Sequence, residues 1–180
     1  QGTDTVSGLT AQTYSVLISD VFGCYITTTV SITQPPALSA VISSTNVTCN
    51  GATNGIANVT AGGGTPLYNY NWLPSGGTSS IAPGLSAGTH TVFVTDNNGC
   101  TITAVANITE PSVITAIISA TNISCNGFTN GATSVIAGGG TPGYNYTWTP
   151  SGIIGSTINN LSAGSYSVIV KDAANCTVVA

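Results

Sequence analysis

The chain has 180 residues, one lysine, no arginine and five acidic residues, so its net charge is −4 and only 3% of its residues are charged. So few cations cannot neutralise a phosphate backbone or an anionic lipid surface, which excludes nucleic acid and membrane-surface binding. No apolar run approaches the roughly 20 residues of a bilayer span, and neither a membrane-inserted segment nor a cofactor is expected.

Solubility must then come from the abundant hydroxyl and amide side chains, and so small a charge favours packing against like chains. The chain opens on Gln1 with no basic and apolar leader, so any export signal is expected to have been removed or to lie upstream.

In chain order, residues 1–34 read as the back part of a unit. Leu9, Cys24 and Pro35 reappear as Leu85, Cys100 and Pro111, each 76 positions later. Residues 35–110 form a whole unit. Short alternating runs near 38–47, 56–61, 67–73, 78–82, 89–95 and 100–108 predict strands. Turns are expected at Asn50-Gly51, Asn54-Gly55, Gly62-Gly63-Gly64 and Asn97-Asn98-Gly99. Residues 111–180 then form a nearly whole unit. Residues 45–104 and 121–180 share 33 identities in 60 gapless positions.

A repeat of this length is too long for a helical solenoid and suits a small all-β domain. The expected fold is a tandem array of immunoglobulin-like β-sandwiches. Trp72 and Trp148, in Tyr-Asn-Tyr-x-Trp strands, are expected in the cores. Tyr14, His90 and Tyr166 occupy equivalent positions and resemble a tyrosine corner, which makes the lone histidine structural. Asp20, Asp96 and Asp172 each precede a late cysteine and suit turns that bond their own backbone. One carboxylate per turn falls far short of a calcium site.

Cysteines come in two kinds, early (Cys49, Cys125) and late (Cys24, Cys100, Cys176). Without metal-ligand spacing they read as disulfides of an oxidising, extracellular setting. The preferred pairing lies within each unit, Cys49 with Cys100 and Cys125 with Cys176, leaving Cys24 a partner upstream. A rival scheme joins Cys24 to Cys49 and Cys100 to Cys125 across the proline linkers.

The run Cys-Asn-Gly-x-x-Asn-Gly, then Gly-Gly-Gly-Thr-Pro-x-Tyr-Asn-Tyr-x-Trp, then Leu-Ser-Ala-Gly through Asp-x-x-x-Cys resembles the SprB-type repeat of Bacteroidetes cell-surface proteins. The resemblance covers residues 45–104 and 121–180 well and 8–34 in part. It implies a long surface adhesin, exported by type IX secretion and in some cases serving gliding motility. Asn175 before the last cysteine and His90 at the corner depart from the pattern. Asp4-Thr5-Val6 resembles the O-glycosylation motif of Bacteroidetes.

An enzyme is not expected, because three of the five carboxylates are equivalent turn residues and no acid–base pair is apparent. The glycine-rich element lacks the lysine of a phosphate loop. A structural and adhesive shaft is the favoured reading. Its partners would be neighbouring copies, with polysaccharide or solid surfaces as further candidates. The alternative is a glycan-binding module using Tyr68, Tyr70, Tyr144 and Tyr146 as aromatic contacts.

Overall fold

The computed structural model describes residues 5–74 and 77–180; Asp4 of the glycosylation-like motif lies outside them. Fourteen strands and no helix are found among the described residues. The second unit contains β3 (Ser39–Thr45), β4 (Gly55–Gly62), β5 (Asn69–Leu73), β6 (Ile81–Leu85), β7 (Gly88–Thr95) and β8 (Thr101–Ile108). They make two three-stranded antiparallel sheets, β3-β4-β6 and β5-β7-β8. This is the ABE and CFG arrangement of the immunoglobulin sandwich without strand D.

The third unit repeats it with β9 (Thr115–Thr121), β10 (Gly131–Gly138), β11 (Asn145–Thr149), β12 (Thr157–Leu161), β13 (Ser167–Lys171) and β14 (Thr177–Val179). Ahead of both, β1 (Gln12–Ser19) and β2 (Tyr25–Ile32) form a lone hairpin. Its Gln12↔Ile32 register matches Gly88↔Ile108 of the second unit, so it corresponds to the last two strands of a sandwich.

Alternation drives the packing. On β4, Gly55, Ala57 and Val59 face inward while Ile56, Asn58 and Thr60 face out. On β7, His90, Val92 and Val94 do the same. Trp72 is 0% exposed at the centre of the second core and Trp148 1% at the centre of the third. Each indole Nε1 donates to a carbonyl seven residues on, Ser79 or Gly155, at 2.9 Å. A large apolar ring is thereby buried with its one polar group satisfied.

Two expectations are corrected. Asn54-Gly55 is not a turn, because Gly55 already belongs to β4. Asn54 instead accepts from the Thr48 amide at 3.1 Å and donates to its hydroxyl at 2.8 Å, shaping the loop between β3 and β4. The Cβ of any residue at Gly55 would lie 2.8 Å from the Leu85 carbonyl oxygen. The strand expected at 78–82 runs instead from Ile81 to Leu85.

Each sandwich has a head, where its first strand enters, and a tail. β4 and β7 span the full length, from Gly55 and Gly88 at the tail to Gly62 and Thr95 at the head. β5 pairs only with the head half of β7, Asn69↔Thr95 to Leu73↔Thr91, and β6 only with the tail half of β4. These two five-residue strands share one pass along the sandwich between them.

Candidate functional site

The junction between the second and third units concentrates the polar and covalent chemistry of the chain. Its framework is the turn aspartate at each head. Asp96 is buried, its Oδ1 accepting from the amides of Asn98 and Cys100 at 2.9 Å and its Oδ2 from that of Thr65 at 2.8 Å. Asp172 does the same with Ala174, Cys176 and Thr141. Asp20 has the two local bonds alone, to Phe22 and Cys24.

The amide of Thr65 first, with those of Cys100 and Asn98, holds Asp96 below the usual carboxylate range against the opposing pull of burial. Asp172 is lowered in the same way, by Thr141 first. These oxygens bind backbone, so each aspartate ties the last hairpin to the Gly-Gly-Gly-Thr-Pro loop. Gly63 has φ +67°, and a Cβ there would lie 1.9 Å from the Ala37 carbonyl oxygen. Only glycine admits that close approach.

At the tail of the second unit, the loop after β3 takes hold of the linker. The Val47 amide donates to the Thr109 carbonyl at 3.2 Å, and Asn46 Oδ1 accepts from the Thr109 amide at 2.9 Å. Asn50 Nδ2 donates to the Pro111 carbonyl at 3.1 Å, and the Gly51 amide donates to Glu110 Oε2 at 2.7 Å. Sequence reasoning missed Asn46, Asn50 and Glu110. The available signal was the recurrence of the two asparagines as Asn122 and Asn126 in a loop otherwise free to vary.

Across this junction a disulfide joins Cys49 to Cys176. This overturns the expected Cys49–Cys100 and Cys125–Cys176 pairs; Cys24, Cys100 and Cys125 are free and exposed. Cys49 lies in the tail loop and Cys100 in the head turn of the same unit. The eight residues of β7 separate those ends by roughly 25 Å. A disulfide needs Cα atoms within about 7 Å. The linker-crossing scheme fails for the same reason, since it pairs the head of one unit with the far tail of the next. End-to-end stacking brings the tail of the second unit against the head of the third, where an early and a late cysteine meet at a Cα separation of 5.7 Å.

The corner residues share one geometry. Tyr14 and Tyr166 donate to the carbonyls of Thr10 and Ser162 at 3.0 and 3.1 Å, and His90 Nε2 lies 3.0 Å from that of Ser86. His90 is buried, whereas Tyr14 and Tyr166 are half-buried, with Tyr166 packed against the third core. The four tyrosines considered for glycan contact are not free platforms. Tyr68, Tyr70, Tyr144 and Tyr146 are half-buried against the cores, and the hydroxyls of Tyr68 and Tyr144 donate to the carbonyls of Gly63 and Gly139. Tyr70 and Tyr146 point inward because they alternate in phase with the buried tryptophans.

Fold and junction together define a tandem array of small immunoglobulin-like sandwiches stacked tail to head and bonded between units. The SprB repeat family matches the chain twice, over residues 41–77 and 117–152, and these stretches are SprB repeats. Such repeats occur in cell-surface proteins related to adhesins. Comparison with curated proteins finds no match.

Proposed function

We propose that the chain is a structural segment of an extracellular adhesin shaft, a non-enzymatic spacer whose units are locked to one another. The observation that carries this reading is the covalent bond between units, Cys49–Cys176, set beside four hydrogen bonds to the linker. A binding domain on a swivelling linker gains nothing from such a clasp. A shaft gains stiffness, because bending at Pro111 must break the tail-loop contacts. Tension between the two units also has a second covalent route besides the linker.

Partners on this reading are neighbouring copies in a fibre, together with the polysaccharide or solid surface met by the whole adhesin. Export by type IX secretion and service in gliding belong to the same proposal. The glycan-binding alternative is weakened by the packing of its four tyrosines, and binding on a glycan array would revive it. The test is small-angle scattering of the full chain, oxidised and reduced. An extended two-unit envelope that loses definition on reduction is expected. Identical profiles in both states, with the units free to swing in each, would sink the shaft.

A further inference from the structure

On each side of the Cys49–Cys176 bond a single strand runs head to tail through its sandwich. β3 starts with Ser39 beside Gly62 at the head of the second unit and ends with Thr45 beside Ile56 at the tail, just before Cys49. β14 leaves Cys176 at the head of the third unit and runs toward its tail, Thr177 beside Lys171 and Val179 beside Ile169. The shortest covalent path through both sandwiches is therefore β3, the disulfide and β14. The closed loop that this path leaves aside spans 127 positions. It holds β4 to β13, the linker at Pro111, Trp72 and Trp148, and the buried Asp96 and Asp172.

Both strands on the path are already extended. A strand rises about 3.3 Å per residue, against a limit of about 3.6 Å for a fully stretched chain, so pulling on it yields almost nothing. Slack is confined to Asn46–Cys49, where Val47 is tied to Thr109 and Thr48 to Asn54.

Without the bond the same tension takes another route. It enters the second unit through Ser39 at the head and leaves through Ile108 at the tail. β3 and β8, which pack beside each other, are then drawn in opposite directions. Only the ladder of β3 on β4 and the contacts with β8 resist that shear. Once they fail, the stretch from Ser39 to Ile108 unravels and lengthens by about 200 Å. The third unit, pulled between β9 and β14, fails in the same way.

We propose that the Cys49–Cys176 bond is a tension bypass, which carries pull along the chain through β3 and β14 and keeps it off both cores. Force enters and leaves each unit along one strand, so the ladders beside that strand feel no shear. Resistance to pulling then comes from covalent bonds and not from the few kcal/mol that hold a small sandwich together.

The use of such a bypass rests on the shaft reading, but the path does not. Scattering reads bending and pulling reads lengthening, so the two fail separately. A chain that swivels without lengthening refutes the shaft alone, and a stiff one that lengthens in steps refutes the bypass alone.

The test is single-molecule pulling of the full oxidised chain through handles ligated enzymatically to its two ends. Cys24, Cys100 and Cys125 are first capped with iodoacetamide, and the bond is verified by peptide mapping. The β1–β2 hairpin lies outside the loop and opens in every sample, adding about 70 Å. Beyond that, the oxidised protein should hold without a step until a handle parts. The Cys49→Ser/Cys176→Ser variant should give two further steps of about 200 Å each. Steps of that size in the oxidised protein, a variant that holds as the oxidised protein does, or absence of the bond would each overturn the proposal.

A second sample keeps the bond and does not depend on the variant folding. A protease site inserted after Gly152, an exposed position between β11 and β12, is cut while the oxidised molecule is under tension. The tether should survive at unchanged length, because the cut falls in the unloaded loop. Parting or lengthening on cleavage would equally reject the bypass.

Discussion

Removing the Cys49–Cys176 bond with the double variant Cys49→Ser/Cys176→Ser tests the junction most directly. The bond spans 127 residues of chain. Closing a loop of that length removes about 16 cal/mol/K of entropy from the unfolded ensemble, or about 5 kcal/mol at 25 °C. That stabilisation is shared by two small sandwiches, each of which is expected to have only a few kcal/mol of its own. Guanidinium denaturation followed by tryptophan fluorescence reads both, because Trp72 reports the second unit and Trp148 the third. The oxidised protein should unfold in one joint transition. The variant should unfold at lower denaturant, in two steps whose summed free energy is smaller by about 5 kcal/mol. Unchanged midpoints would refute the reasoning, because they would mean that the bond constrains nothing in the unfolded chain.

Three further outcomes follow from the same geometry. In the Cys49→Ser/Cys176→Ser background, where the units unfold separately, Trp72→Ala should cost the second unit about 3–5 kcal/mol, leaving a cavity and an unpaired Ser79 carbonyl, while the third unit keeps its midpoint by near-ultraviolet signals of Trp148. Gly63→Ala places a Cβ 1.9 Å from a backbone oxygen at φ +67° and should cost more than about 2 kcal/mol. Gly99→Ala, at φ +82° with nothing within 4 Å, should cost only about 1 kcal/mol, as compared by thermal melts. Asp96 and Asp172 titrate below the ordinary value of 3.8, so in acid the folded state binds fewer protons than the unfolded chain. Their stabilisation is complete above that value and is lost progressively as pH falls from it through the lower folded-state pKa. The melting temperature should hold from pH 7 to about 5 and drop below about 4, and Asp96→Asn should flatten that acid limb.

Much of the architecture can be read from the chain because it depends on local pattern. Period-two alternation set the strands, self-similarity set the units, and Trp72 and Trp148 marked the two cores, since a large indole on a middle strand has nowhere else to go. The aspartate before each late cysteine announced a turn that bonds its own amides. The third bond, to Thr65 or Thr141, spans 31 positions and had no local sign.

The cysteine pairing was decided by the path of the chain. Strands near 67–73 and 78–82, counted as full passes, make four crossings between Cys49 and Cys100 and would return the chain to the same end. In the folded unit β5 and β6 are half-length and lie on different sheets, sharing one pass, so there are three crossings and the two thiols finish at opposite ends. Sequence alone therefore determined the repeat, the number of its strands and that the thiols come in two kinds. Tertiary structure decided which thiols meet, because a disulfide forms between groups within a few ångströms, and that distance depends on where each strand stops.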